Sequence, residues 1–274
     1  MLNYLLRRLV QSAVLLVLVT VIAFALMHLA PGGPLAVYTM TPTLRAEDIE
    51  TLKRSLGLDQ PLHIQYLRWA SGMLTGDWGR SYRDTRPVTD VIFGRLPATL
   101  ELAGTALVIA IVLGVGIGVL GAVRQYSIAD YLASVGAMIA LSIPTFWFGL
   151  MVIYLFAVRL GWIPAGNRQT IGEPFSLLDR LHHLIAPATV LGLVLVATWS
   201  RYTRAAMLET INQDYVRVAR AKGLSERRVL AGHAFRNALV PLVTLLGIQL
   251  PILFGGALVT ESIFTWPGMG RLFV

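Results

Sequence analysis

Gly116-x-Gly118-x-x-Gly121 is, as a string, a dinucleotide-binding fingerprint, in which glycines let a tight turn approach a pyrophosphate at a helix N-terminus. That chemistry needs a strand before the turn and a βαβ unit around it. Here the string lies inside an unbroken apolar run, and Gly114-x-x-x-Gly118 in the same run suits close packing of one membrane helix on another. Five histidines, His28, His63, His182, His183 and His233, are potential metal ligands, but none sits in an H-E-x-x-H arrangement. Adjacent residues of a helix do not share a face, so the His182-His183 pair reads as interfacial, and His233 as structural or interfacial. Intramembrane proteolysis would need a Ser–His or Asp–Asp arrangement at bilayer depth; the long apolar runs hold no aspartate, and their serines have no partner there. Glu101 and Glu261 are the only acids near the run interiors, both toward the outer ends. Two readings stay open for them: a paired or interfacial carboxylate, and a group lining a water-filled path. Without cysteine there is no disulfide, thiolate metal site or thiol nucleophile. No G-x-x-x-x-G-K-[ST] loop occurs, so any active transport must draw on a partner or an ion gradient. The chain is expected to be no enzyme, with no catalytic residue, no metal and no cofactor of its own.

Composition dictates the elements that hold these groups. The 274 residues are 55% hydrophobic and 14% charged, with a mean hydropathy of +0.66. An average soluble domain carries about 25% charged residues, so this chain has too few to coat a water-soluble globule of its size. The formal charge is +8, and Lys53 and Lys222 are the only lysines among 23 basic residues. A basic balance fits nucleic acid or a membrane surface; the placement of the charges decides for the membrane. Five apolar runs stand out: Leu9 to Leu29, Pro97 to Val123, Tyr131 to Val158 with Pro144 interrupting it, Leu184 to Ser200, and Ala238 to Thr260. At ~1.5 Å per residue the first reaches ~31 Å, enough for a hydrocarbon core of ~30 Å. It exceeds a signal-peptide core and lacks a clear cleavage site, so it reads as a retained anchor.

Arginine placement predicts the orientation. Arg7 and Arg8 precede the first run and put the N-terminus in the cytoplasm. The segment between the fourth and fifth runs carries Arg201, Arg204, Arg217, Arg220, Lys222, Arg227, Arg228 and Arg236, and with five alternating spans it faces the same side. The short link holding Arg124 and Asp130 falls there too. Residues 31–96 then lie outside, with eight basic and seven acidic residues and two expected helices, Leu44 to Leu56 ended by Gly57 and Pro61 to Leu74 ended by Gly76. The predicted organisation is an N-terminal span over 1–30, an extracytoplasmic helical segment over 31–96, and a core bundle over 97–274 that includes a cytoplasmic loop at 201–237.

That loop is the most informative part. Asp214 is expected to cap a short helix, with Tyr215, Val218, Ala219 and Lys222 on one face. Gly223 can adopt the left-handed conformation that closes it. Ser225 can cap a second helix carrying Val229, Leu230 and Phe235. Apolar anchors among arginines suit docking into another protein's groove; a basic loop resting on anionic headgroups is the alternative.

The segment from Asp214 to Ser225, DYVRVARAKGLS, resembles the cytoplasmic coupling loop of bacterial ABC-importer permeases, in the version found in dipeptide and oligopeptide permeases. The likeness continues along the chain: Leu6-Arg-Arg-Leu9, His28-Leu-Ala-Pro-Gly-Gly-Pro34, Leu56-Gly-Leu-Asp-Gln-Pro61, Gly76-Asp-Trp-Gly-Arg-Ser81, Arg95-Leu-Pro-Ala-Thr-Leu100, Ser142-Ile-Pro-Thr-Phe-Trp147, Arg159-Leu-Gly-Trp-Ile-Pro164 and Thr260-Glu-Ser-Ile-Phe-Thr-Trp-Pro-Gly-Met-Gly-Arg271. Order and spacing together are similar to the first of the two permease partners. The general motif opens Glu-Ala-Ala; Arg217-Val218-Ala219 stands in its place, as in the peptide branch, and Gly33 replaces the aspartate usual in Pro-Gly-Asp-Pro.

The resemblance implies an all-α, polytopic helix bundle of the type I ABC importer permease kind, in the bacterial inner membrane, with five spans here and a sixth expected beyond Val274. It implies a second homologous permease, two ABC ATPase subunits that carry ATP and Mg, an extracytoplasmic binding protein and a lipid bilayer as partners, and no nucleic acid. By the same likeness, the ATPase-docking residues would be Asp214, Tyr215, Arg217, Val218, Ala219, Arg220, Lys222, Gly223, Leu224 and Ser225. Candidates for the translocation path, read from polar and aromatic groups in apolar runs, are Ser142, Thr145, Trp147, Thr198, Trp199, Gln249 and Glu261. Permeases of this type carry dipeptides, longer peptides, glutathione or, in a nickel-type branch, nickel chelates. The rival from another class is an ion-coupled secondary transporter. It would show an intramembrane acid or basic relay, and the third and fourth runs show none.

Overall fold

The computed structural model describes residues 1–36 and 46–273. Among these the regular structure is helical, with one isolated bridge between Arg80 and Pro87. The chain divides into two compact units, Met1–Ile92 and Phe93–Val274.

In the first unit α1 spans Leu2–Leu29 and has no buried residue. Beyond Arg8 its side chains are apolar on nearly every face, as a helix meeting lipid requires. Two shorter helices follow, α2 (Ala46–Ser55) and α3 (Leu62–Thr75). Gly57 and Gly76 stop them with φ of 67° and 87°, a conformation that glycine adopts without steric cost. Leu44 and Arg45, the expected opening of α2, lie outside the described residues. α1 and α3 meet through Phe24, whose ring lies 5.5 Å from Tyr66 and 5.9 Å from Trp69. Beside it, His28 Nε2 is 3.0 Å from Gln65 Oε1.

The second unit is built on α4 (Val88–Val123) and α7 (Leu177–Ile211), at ~54 and ~52 Å both longer than a bilayer core. Their close approach depends on missing side chains. A Cβ on Gly114 would lie 2.6 Å from Trp199 Cβ, and one on Gly118 would lie 2.5 Å from Thr203 Cβ. The glycine string is therefore a helix-packing seam, as its setting predicted. Leu107, Ala110, Val196, Trp199, Leu242 and Leu245 form the core that adds α10 (Arg236–Phe254) to the pair.

The third apolar run is broken. α5 (Ile128–Ser142) and α6 (Thr145–Val152, continuing as a π-helix over Ile153–Arg159) meet at 98°. Pro144 has no N–H to extend α5, and it pushes Ile143 into an extended conformation (φ −77°, ψ 124°). Four helices are long and apolar enough to cross a membrane, five if this bent pair counts as one span.

The segment at 201–237, expected to carry two short helices, is mostly helix. α7 continues to Ile211, and the last long helix starts at α9 (Glu226–Arg228) and passes through a π-helix at Val229–Phe235 into α10. Val229 and Phe235 therefore belong to the base of the fifth span, not to a separate short helix. Hydropathy marks where lipid takes a helix, and these two run on as polar, amphipathic extensions. Between them lies α8 (Asp214–Ala221). After α10 come α11 (Leu258–Ile263) and a 3-10 turn at Gly270–Phe273.

Candidate functional site

α8 has two faces. Val216 and Ala219 are buried and pack with Val229 at the foot of the last long helix, with Leu224 half-buried beside them. Tyr215 and Val218 are exposed, and Asp214, Arg217, Arg220 and Lys222 surround them. This corrects the expected face: Ala219 turns inward, because positions three apart from Val216 follow it into the small core. Asp214 is not the N-cap either. Gln213 takes that place (φ −73°, ψ 150°), and Asp214 is the first helical residue, where its charge complements the helix dipole.

Gly223 closes α8 at φ 78°, and its N–H donates to the Arg220 carbonyl at 2.9 Å. Ser225 is the N-cap of α9, but through its backbone: its carbonyl accepts from Val229 N–H at 3.0 Å. Arg220 Nη2 donates to Glu226 Oε1 at 2.9 Å, clipping α8 to α9, and this hydrogen bond holds the guanidinium above its ordinary pKa. Arg217 reaches Asp214 at 3.4 Å on the open surface, a contact worth little in water. α8 is thus a short element with two-residue and four-residue links to α7 and α9.

The path candidates separate into four groups, with Glu261 apart from the rest. Trp199 and Gln249 bond to each other, the indole N–H donating to Oε1 at 2.8 Å, and tie α7 to α10. Ser142 and Trp147 line a hollow of about 580 Å³ at the Pro144 bend, where Ser142 Oγ donates to the Met138 carbonyl. Thr145 lies half-buried at the start of α6. Thr198 lines a second hollow of about 700 Å³ between α5 and α7, with Ser134, Arg201 and Tyr202; Met138 borders both hollows.

Glu261 is fully buried and already occupied. Thr99 O–H donates to its Oε1 at 2.9 Å, and backbone N–H groups of Ala257 and Arg271 lie 3.4 and 3.3 Å from its oxygens. It holds the turn after α11 against α4. Glu101 has the polar-partner role: Arg168 and Arg180 from the 159–180 stretch both donate to its Oε2. His183 Nδ1 donates to the Asp179 carbonyl and His182 Nε2 to that of Trp162. Among the described residues no group of histidines and acids could hold a metal.

Sequence reasoning passed over Asp130. Its carboxylate receives Arg204 Nε at 2.6 Å and Nη2 at 2.8 Å, and Tyr126 N–H at 3.0 Å. Ser127-x-x-Asp130 is a readable helix-start signature, and Ser127 Oγ does accept from Asp130 N–H. Nothing local points to a partner on α7.

Residues 95–274 match the model of the family "Binding-protein-dependent transport system inner membrane component", and residues 1–103 match that of its N-terminal companion. The chain belongs to this family. It is similar to the oligopeptide transport system permease protein AppB of Bacillus subtilis, 44% identical over 272 residues that cover 99% of this chain and 86% of the relative. It is also similar to the glutathione transport system permease protein GsiC of Escherichia coli K12, 39% identical over 274 residues, covering 100% and 86%. The protein is a multi-pass inner-membrane permease component of the peptide-permease type, with an all-α helix bundle.

Proposed function

We propose that this permease is one half of an ATP-driven importer for peptides or related small solutes. It pairs with a second, homologous permease to enclose the path, receives solute from an extracytoplasmic binding protein, and is driven by two ATPase subunits that carry the ATP and Mg. One of them docks on α8, over Tyr215 and Val218. The N-terminus and α8 face the cytoplasm.

The observation that carries this reading is the two-sided α8. Its inner face is fixed to the base of the last long helix, and its outer face offers an aromatic and an aliphatic anchor among charges, the composition of a docking hot spot. A push on α8 is delivered to α7 and α9 through short links, and α7 and α10 are joined at Trp199–Gln249. Alternating access then follows as a rigid-body movement of these spans when ATP binding closes the motor dimer. Solute and nucleotide must each favour a different state for the cycle to run. That AppB is an oligopeptide and GsiC a glutathione permease protein supports peptides and related small solutes as the cargo.

The test is co-purification in detergent of a chain with a Walker motif, together with stimulation of its ATPase by the binding protein and solute. Recovery of the permease pair without an ATPase, when all subunits are co-expressed, overturns the reading.

A further inference from the structure

The hollow between α5 and α7 carries an unbalanced charge. Its lining includes two guanidiniums, Arg201 and Arg204, and no acid. Arg204 is spent: Asp130 behind it takes both its Nε and Nη2. Arg201 is exposed and makes no hydrogen bond or ion pair among the described residues. It stands three residues further from the Asp130 end than Arg204, ~4.5 Å along α7.

Its direction distinguishes it from an arginine that merely reaches for headgroups. Arg201, Arg204 and Ala205 lie three and four positions apart, and all three line this hollow. That face of α7 is turned toward Ser134, Met138 and Leu141 of α5, which recur at the same kind of spacing. Thr198, Ser134 and Tyr202 add hydroxyls beside the guanidinium. The wall of Met138, Leu141 and Ala205 is apolar. About 700 Å³ falls within the range of small-molecule sites.

We propose that Arg201 binds the carboxylate of the transported solute, with Thr198, Ser134 and Tyr202 as neighbouring hydroxyls and the α5 wall accommodating a variable apolar side chain. This rests on the import reading above and deepens it. A guanidinium fork donates two parallel hydrogen bonds to a carboxylate without reading the rest of the molecule. A free C-terminal carboxylate is the anion that all unblocked peptides share. One unpaired charge beside a few hydroxyls and an apolar wall therefore selects for peptide ends while tolerating varied sequences.

The absence of cysteine gives a direct test. Ala205→Cys places the chain's only thiol in the hollow, in the assembled transporter with cysteine-free partner subunits, held in nanodiscs without nucleotide or binding protein. Labelling by a neutral maleimide is timed with a defined tripeptide library and with its C-terminally amidated copy. At about ten times the dissociation constant, mass action slows labelling about tenfold with the free acids, and the amides leave the rate unchanged. Adding Arg201→Gln removes the protection; Arg201→Lys, which keeps the charge, retains part of it.

Equal protection by acids and amides, or protection that survives Arg201→Gln, overturns the site. So does labelling that slows only when phosphatidylcholine is replaced by phosphatidylglycerol, which would make Arg201 a lipid contact. ATP-dependent uptake of the free-acid library by the transporter with Arg201 intact is measured in parallel, with its binding protein. Uptake with failed protection removes this site and leaves the import reading standing; no uptake removes both.

Discussion

Arg204 on α7 grips Asp130 at the start of α5 with two parallel hydrogen bonds of 2.6 and 2.8 Å, across 74 residues of sequence. The pair fixes the foot of the broken third segment to the helix that leads into α8. Asp130→Asn should leave Arg204 without a counter-charge and lower the melting temperature of the purified permease by several degrees. Removing one partner of such a pair costs more than removing both, so the Asp130→Asn, Arg204→Gln double variant should melt above the sum of the two single effects. A thermal double-mutant cycle in detergent reads this directly; strict additivity would show that the two groups do not interact.

The α4–α7 seam predicts a sharp contrast between neighbouring glycines. Gly118→Ala forces a methyl to within 2.5 Å of Thr203 Cβ and 2.6 Å of the Ser200 carbonyl. Overpacking of this kind costs about 1–3 kcal/mol. A Cβ on Gly116 meets nothing within 4 Å, so Gly116→Ala should leave stability unchanged or raise it by up to about 1 kcal/mol. Thermal melts of the two variants, side by side, test it.

Gly223 is the hinge residue of α8. Nothing lies within 4 Å of a Cβ there, so Gly223→Ala is opposed only by its φ of 78°, a penalty of about 1–2 kcal/mol. Gly223→Pro is incompatible with that φ and deletes the N–H that donates to Arg220. It should abolish uptake and weaken ATPase association while leaving membrane insertion intact. Vesicle uptake and pull-down together check the outcome.

The two faces of α8 should respond differently. Val218→Asp alters only an exposed position and should reduce ATPase affinity about tenfold or more, as loss of a hot-spot anchor does, with the permease's melting point unchanged. Val216→Asp places a charge in the small core with Ala219 and Val229 and should lower the melting point first. Binding titrations with the ATPase, paired with melts, separate the two effects.

Thr99 bridges α4 to the turn after α11. Its O–H donates to Glu261, and its oxygen accepts from Met269 N–H at 2.7 Å. Thr99→Val keeps the shape and removes both bonds, leaving buried polar groups unpaired at a cost of about 1–3 kcal/mol. Thr99→Ser should recover most of it, as read by thermal denaturation in detergent.

The sequence shows clearly what depends on local chemistry. Hydropathy located α1 and the middles of α4, α7 and α10. Gly57, Gly76 and Gly223 marked helix ends, because a left-handed residue has few other occupants. Gly114 and Gly118 announced the close approach of a neighbour without naming α7. What stayed hidden depends on the third dimension. The helix ends at Ile211 and Glu226 lie beyond the apolar runs, where hydropathy carries no signal. Pro144 foretold a break, but its 98° angle is fixed by packing against α7 and α11. The pairing of Glu101 with Arg168 and Arg180, and of Asp130 with Arg204, joins residues too distant for any spacing rule. Trp199 and Gln249 were each legible as polar intruders in lipid; that they satisfy one another was not.

Glu261 shapes the sequence around it. A Cβ on Gly268 would come within 2.4 Å of its carboxyl group, and one on Gly270 within 2.9 Å of Oε2. The Trp-Pro-Gly-Met-Gly string is therefore a mould cast around a single acid group. Gly268 cannot drift to a larger residue while the glutamate stays, so those two must change together or not at all, whereas Gly270 is held by the Leu258 backbone at 2.7 Å as well as by the acid.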